Sequence, residues 1–241
     1  MTVRRYAILG SVLAFALQLP VAFAQGQAVC GSLNNGYGPF DYRTQKDRLE
    51  VVERFHFTPE VETLSKGKSS SAIGADIAYT LRAFPNHHRA LMAMLKLAAR
   101  EKTSTPKGSD YTMSCWFDRA ERFRADDAMV KVIHGIYLIQ TGKSGEALGK
   151  LEAARALDGG SANVHYNLGL AYFNLGQYEK ALTSAHAAYG AGFPLPGLRD
   201  KLKRAGRWRE GSPTPDAGAA VGQGREVAPE VDATEGSADA R

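Results

Sequence analysis

Cysteine is scarce in this sequence, with two residues, Cys30 and Cys115, among 241. Neither sits in a C-x-x-C pair or close to a histidine, so the spacing of a redox motif or a structural zinc site is missing. H-E-x-x-H is absent, and Ser69, Ser70 and Ser71 lack the G-x-S-x-G setting of a hydrolase nucleophile. Gly36-Tyr37-Gly38 lacks the strand–helix context of a phosphate loop. No run of Lys and Arg is interleaved with aromatics, which argues against nucleic acid as a partner. Apart from residues 6–15, no stretch is long and apolar, and that one is too short to cross a bilayer. These gaps leave no indicated metal, cofactor, catalytic residue or integral membrane segment.

What is present suits a folded domain, with 44% apolar and 23% charged residues. Arg4 and Arg5 precede the apolar run, and Ala22-Phe23-Ala24 closes it with small residues around an aromatic. That three-part pattern predicts a secretory signal over residues 1–24 and a periplasmic or secreted protein. In an oxidising compartment the two cysteines are expected to pair with each other. Closing a loop of about 85 residues would stabilise the fold by roughly 4 kcal/mol.

Residues 25–84 read as an irregular N-terminal block. Gly, Asn and Pro favour turns through residues 31–40, and the interleaved aromatics hold the segment down. Leu49, Val52 and Phe55 fit a helix or an extended segment alike. Thr58 and Pro59 are placed to cap and open a short helix, and residues 66–74 form a Ser/Gly-rich loop. From Ala75 a helical spacing of Ile77, Leu81 and Phe84 sets in. Leu91, Met94, Leu95 and Ala98 then mark a second helix, and Trp116, Ala120 and Phe123 a third. Beyond Arg209 the composition turns to Ser, Pro, Gly, Ala and acids, which predicts a disordered tail over 209–241.

Residues 128–161 repeat in residues 162–195. Gly135 falls on Gly169, Gly142 on Gly176, Ala147 on Ala181 and Ala154 on Ala188, each 34 residues on. Small residues at such positions let two antiparallel helices cross closely, and the glycines at 142 and 176 allow a tight turn. Tyr166-Asn167-Leu168-Gly169-Leu170-Ala171-Tyr172, followed by Gly176-Gln177-Tyr178-Glu179-Lys180-Ala181, resembles the tetratricopeptide repeat (TPR) consensus. The resemblance implies an all-α fold, a short TPR-like α-solenoid spanning 85–208. One hairpin cannot bury its own apolar face, so a third is expected. A degenerate repeat at 86–127, with a loop inserted around 102–110, supplies it, and a capping helix at 196–208 closes the stack.

Two further inferences come with the resemblance. Residues 36–43 and 82–91 are similar to the N-terminal blocks of exported bacterial TPR proteins, a likeness that implies no activity. The first helix of each repeat is expected to line a concave groove, here through Val132, Ile136 and Ile139, then Asn163, Tyr166, Leu170 and Phe173. The Lys/Arg/Asn set that clamps a peptide carboxylate in chaperone-binding members is missing. The implied function is a periplasmic interaction module holding a protein or peptide of the cell envelope. An apolar groove needs a cover, either that partner or the chain's own N-terminal block, and the block is favoured. The alternative is an envelope hydrolase or metal-dependent enzyme whose site lies in the N-terminal block, with His56 and one of His87 or His88 as ligands.

Overall fold

The computed structural model describes residues 30–210. The expected signal at 1–24 and all but the first two residues of the expected tail lie outside them. Within them are ten helices: α1 Lys46–His56, α2 Pro59–Glu62, α3 Ile73–Ala83, α4 His88–Glu101, α5 Met113–Phe123, α6 Ala128–Gln140, α7 Ser144–Leu157, α8 Ala162–Asn174, α9 Tyr178–Gly190 and α10 Gly197–Arg204. No strand occurs among the described residues.

Successive helices pack as antiparallel pairs, α4 on α5, α6 on α7 and α8 on α9. The first helices also touch along the stack, α4 to α6 and α6 to α8. Three apolar clusters fill the pairs and the spaces between them. The first runs from Phe57 to Ile133, the second joins Val132, Leu138, Leu151 and Leu168, and the third joins Tyr166, Leu182, Phe193, Leu198 and Leu202. Position 135 must be small, because a Cβ there would sit 2.7 Å from Leu151 Cγ on the paired helix. At Gly169 the close neighbour is Leu198 of the capping helix, with its Cδ2 only 2.3 Å from an added Cβ. At both positions of the 34-residue repeat the first helix thus leaves no room for a Cβ beside a neighbouring leucine, whereas α4 carries Leu95 at the equivalent place.

The connections between units repeat as well. Phe84, Arg124 and Asp158 end α3, α5 and α7 with nearly one conformation, φ −130, −139 and −143° and ψ 84, 87 and 75°. Three residues later His87, Asp127 and Ser161 cap α4, α6 and α8 in extended geometry. The shared turn makes α3 the second helix of a unit preceding α4, and α1, packed on α3, stands in the place of its first. The stack therefore begins one unit earlier than the boundary expected at residue 84. The undecided segment around Leu49 is helical because Leu49 and Val52, one turn apart, both meet the cluster of Tyr42, Ala83 and Phe84.

The inserted loop in the degenerate repeat packs on the start of α3. A Cβ on Gly74 would come within 2.4 Å of Lys107 O, and one on Gly108 within 2.9 Å of the Ala72 side chain. Trp116 Nε1 donates to Ser109 Oγ at 2.9 Å and ties the loop to α5.

Candidate functional site

The three first helices share one register. Their left-handed terminal residues, Lys102, Gly142 and Gly176, each stand fifteen positions after the caps His87, Asp127 and Ser161. Equivalent side chains therefore lie side by side on α4, α6 and α8. Ile136 and Ile139 of α6 match Leu170 and Phe173 of α8, and all four are partly exposed. Together they form an apolar strip across two units.

The other expected groove residues are internal. Val132 is fully covered, in the cluster with Val164 and Leu168 of the next unit. Tyr166 retains 2% exposure because the turn after α9 lays Phe193 against it, stacked at 4.1 Å. Asn163 is also buried, and its carbonyl accepts from Asn167 Nδ2 at 2.9 Å. Phe193 lies 27 residues past Tyr166, in a connection with no helical period, which is why the linear pattern placed Tyr166 on the surface.

Basic residues stand at both ends of the strip. On α4, forty residues before Ile136 and Ile139, the matching positions are Lys96 and Ala99, followed by exposed Arg100, whose Nη1 donates to Leu64 O at 2.7 Å. At the far end α10 carries Arg199, Lys201, Lys203 and Arg204 against one acid, Asp200. Arg207 lies over the Tyr178 ring at 5.2 Å, and Tyr178 meets Phe173 edge-on at 5.4 Å, so the cations reach the apolar strip. By contrast Arg89 is committed to Glu62 and Glu53.

The described part of the N-terminal block, residues 30–84, does not cover this strip, contrary to expectation. Phe57, Val61 and Leu64 are in one cluster with the residues of α3 and α4, so α1 and α2 close the first end of the stack. Residues 30–43 run along α5 instead. Cys30 is bonded to Cys115, as the scarcity of cysteine required. Arg119, 2% exposed, donates to the carbonyls of Cys30 and Ser32 at 3.0 and 2.7 Å, and Arg122 to that of Gly31 at 3.0 Å. The segment ends in a buried polar knot. There Asn86 donates to Asp41 at 2.7 Å and to Asp127 at 2.9 Å while accepting from the Tyr42 N–H at 3.0 Å. Burial pushes Asp41 up, but the hydrogen bonds of Arg43 and Asn86 more than offset it and hold the carboxyl well below the usual range.

The histidines of the enzyme reading are kept apart. His87 is fully buried, accepts from Ala90 N–H through Nδ1 at 3.1 Å, and so donates from Nε2 to Glu53 at 3.1 Å. Burial lowers its pKa, which keeps the ring neutral. His88 pairs with Asp127 at 2.9 Å, and His56 with Asp76 at 3.1 Å. Among the described residues no group of three or more His, Cys, Asp or Glu side chains is arranged to hold a metal ion. No described helix is long and apolar enough to cross a membrane.

His134 takes the position that Leu168 fills in the next unit. It stacks on Phe117 at 4.5 Å and its Nδ1 lies 2.6 Å from Glu121. Glu121 also receives Lys150 Nζ at 2.7 Å. Burial pushes this carboxyl up, yet the hydrogen bonds and charges of His134 and Lys150 bring it down to about 2.

Residues 162–189, which hold α8 and nearly all of α9, match the family described as Tetratricopeptide repeat. No curated protein and no solved structure matches the chain. Members of that family are typically non-catalytic and act as protein-interaction modules. The units before that hairpin repeat its register, caps and turns; residues 162–189 are thus one tetratricopeptide repeat in a stack of similarly built helical hairpins.

Proposed function

We propose that the protein is an exported adaptor that holds a segment of another cell-envelope protein against the strip of Ile136, Ile139, Leu170 and Phe173. The observation that carries the reading is the strip itself: four partly exposed apolar side chains in register on two first helices, flanked by cations at both ends. Such a face suits a segment apolar at its centre and acidic at its flanks. The balance of charge agrees. Residues 30–210 carry 26 Lys and Arg against 19 Asp and Glu, a formal +7. The envelope location rests on the signal-like residues 1–24, and the Cys30–Cys115 bond suits an oxidising compartment.

The test is site-directed photo-crosslinking from position 139 in intact cells, repeated in an Ile136→Glu, Phe173→Glu background. Crosslinks that vanish in that background while the thermal midpoint holds are the expected result. Crosslinks unchanged by the two charges would end the proposal. Tyr166→Ala is a poor probe, because it removes a buried ring and would unfold the last unit instead of blanking a surface.

A further inference from the structure

A second unclaimed surface lies at the opposite end of the stack. Among the described residues the large apolar side chains that stand well exposed include Val51 at 45% and Phe55 at 49%, one turn apart on α1. Both line a half-open cleft of about 180 Å³, together with Tyr37, Val52, His56 and Tyr79. The walls are fixed from behind. Tyr37 is braced edge-on by Phe40 at 4.9 Å, and its hydroxyl donates to Arg48 O at 3.3 Å. The His56 ring stacks on Tyr79 at 3.7 Å. Val52, 2% exposed, forms the floor.

Beside the Tyr37 and Tyr79 hydroxyls, the cleft carries the imidazole of His56. Its Nδ1 lies 3.1 Å from Asp76, a carboxylate that also takes the backbone N–H groups of Lys68, Ser69 and Ser70. An acceptor so occupied receives a proton from Nδ1, and in that tautomer Nε2 is the lone-pair acceptor. Nε2 has no partner among the described residues and is left to the cleft. The size sets the ligand. An apolar cavity of roughly 150 Å³ takes one benzene ring, and this cleft is slightly larger and open on one side.

We propose that the cleft binds a single aromatic ring bearing one N–H or O–H donor, an indole or phenol group, with the donor on His56 Nε2. The ring would rest between Tyr37, Phe55 and the His56–Tyr79 stack. A free small molecule and a Trp or Tyr side chain of a polypeptide offer this same chemistry. The site is formed by α1, α3 and the segment before α1, and is independent of the strip on α6 and α8.

The experiment titrates the full chain with indole, with toluene and with a blocked Gly-Trp-Gly peptide, following backbone amide shifts of α1 and α3. Saturable shifts with indole at a Kd on the order of 1 mM are expected. Toluene, which lacks the donor, should bind about fivefold more weakly. His56→Phe should bring indole down to the level of toluene, and Val51→Glu should abolish both without moving the thermal midpoint, since Val51 is exposed. Ile139→Glu should change nothing. Tighter binding of the peptide than of indole assigns a side-chain ligand, and indole binding at least as tight as the peptide assigns a free ring; either supports the site. Absence of saturable shifts up to about 20 mM, or equal binding of indole and toluene to the wild type, overturns it. Should His56→Phe fail to fold, the wild-type comparison still decides.

Discussion

Asn86 shows what a single side chain carries in this molecule. It is fully buried and ties together three partners: the segment before α1 through Asp41 and Tyr42, and the cap of α6 through Asp127. Asn86→Ala would leave two carboxylates and a backbone N–H short of a partner, so a loss of about 2–4 kcal/mol is expected in urea unfolding. Glu121 gives a residue-scale test in pH. Its pKa falls from 4.5 unfolded to about 2 folded, so it contributes stability that is complete above pH 4.5 and is lost as pH falls through 2. Thermal midpoints measured from pH 6 to 2 should drop more steeply for the wild type than for Glu121→Gln across that window. Parallel slopes would mean that His134 and Lys150 do not hold the carboxylate in solution. None of these contacts has a signature in the linear pattern. The partners of Asn86 lie 41 to 45 residues away, and His134 stands where the next unit has Leu168.

At the scale of the element, helix ends decide how well each unit closes. In α6, α8, α9 and α10 a glycine at positive φ is followed by an N–H that reaches back to the helix: Lys143 to Leu138 O, Gln177 to Tyr172 O, Phe193 to Ala188 O and Arg207 to Leu202 O. This is the left-handed C-terminal cap with its long-range bond, a conformation that suits glycine. In α4 the same bond, Thr103 to Ala98 O, is made with Lys102 at φ 50°. Lys102→Gly should therefore stabilise the protein by about 0.5–1 kcal/mol, and Gly176→Ala should destabilise it by about 1 kcal/mol, read from urea midpoints. The helices and their pairing were legible because Gly135 and Gly169 leave no room for a Cβ beside Leu151 and Leu198, Gly142 and Gly176 adopt positive φ, and the two kinds recur at one spacing. The short turns at 84–87, 124–127 and 158–161 share a backbone shape but scarcely a residue, so the unit that α3 closes left no readable repeat. The strip was half legible. Ile136, Ile139, Leu170 and Phe173 follow from register alone, whereas the burial of Val132 and Tyr166 depends on how the next unit and Phe193 arrive.

The whole molecule is a stack in which the chain before α1 returns to bind the middle. Cys30 lies beside α5, and from there residues 31–43 bridge the connections that follow α3 and α5 through Phe40 to Ala83 O, Arg43 to Asp126, and the Asn86 knot. The bond to Cys115 closes a separation of 85 residues that holds α1 to α4. Opening it releases the unfolded chain from that loop, an effect of up to roughly 4–5 kcal/mol in the chain-entropy account. The loss should not be uniform. Units α6/α7 and α8/α9 lie outside the loop and hold their own close packing, Gly135 against Leu151 of α7 and Gly169 against Leu198 of the capping helix, whereas α1 to α5 depend on the returning segment. A Cys30→Ala, Cys115→Ala variant should therefore lose hydrogen-exchange protection first in α1, α3 and α5 and keep it longest in α8 and α9, since a solenoid opens from its weakest units. Protection lost evenly along the chain would mean that the stack unfolds as one unit and that the returning segment is no separate clamp.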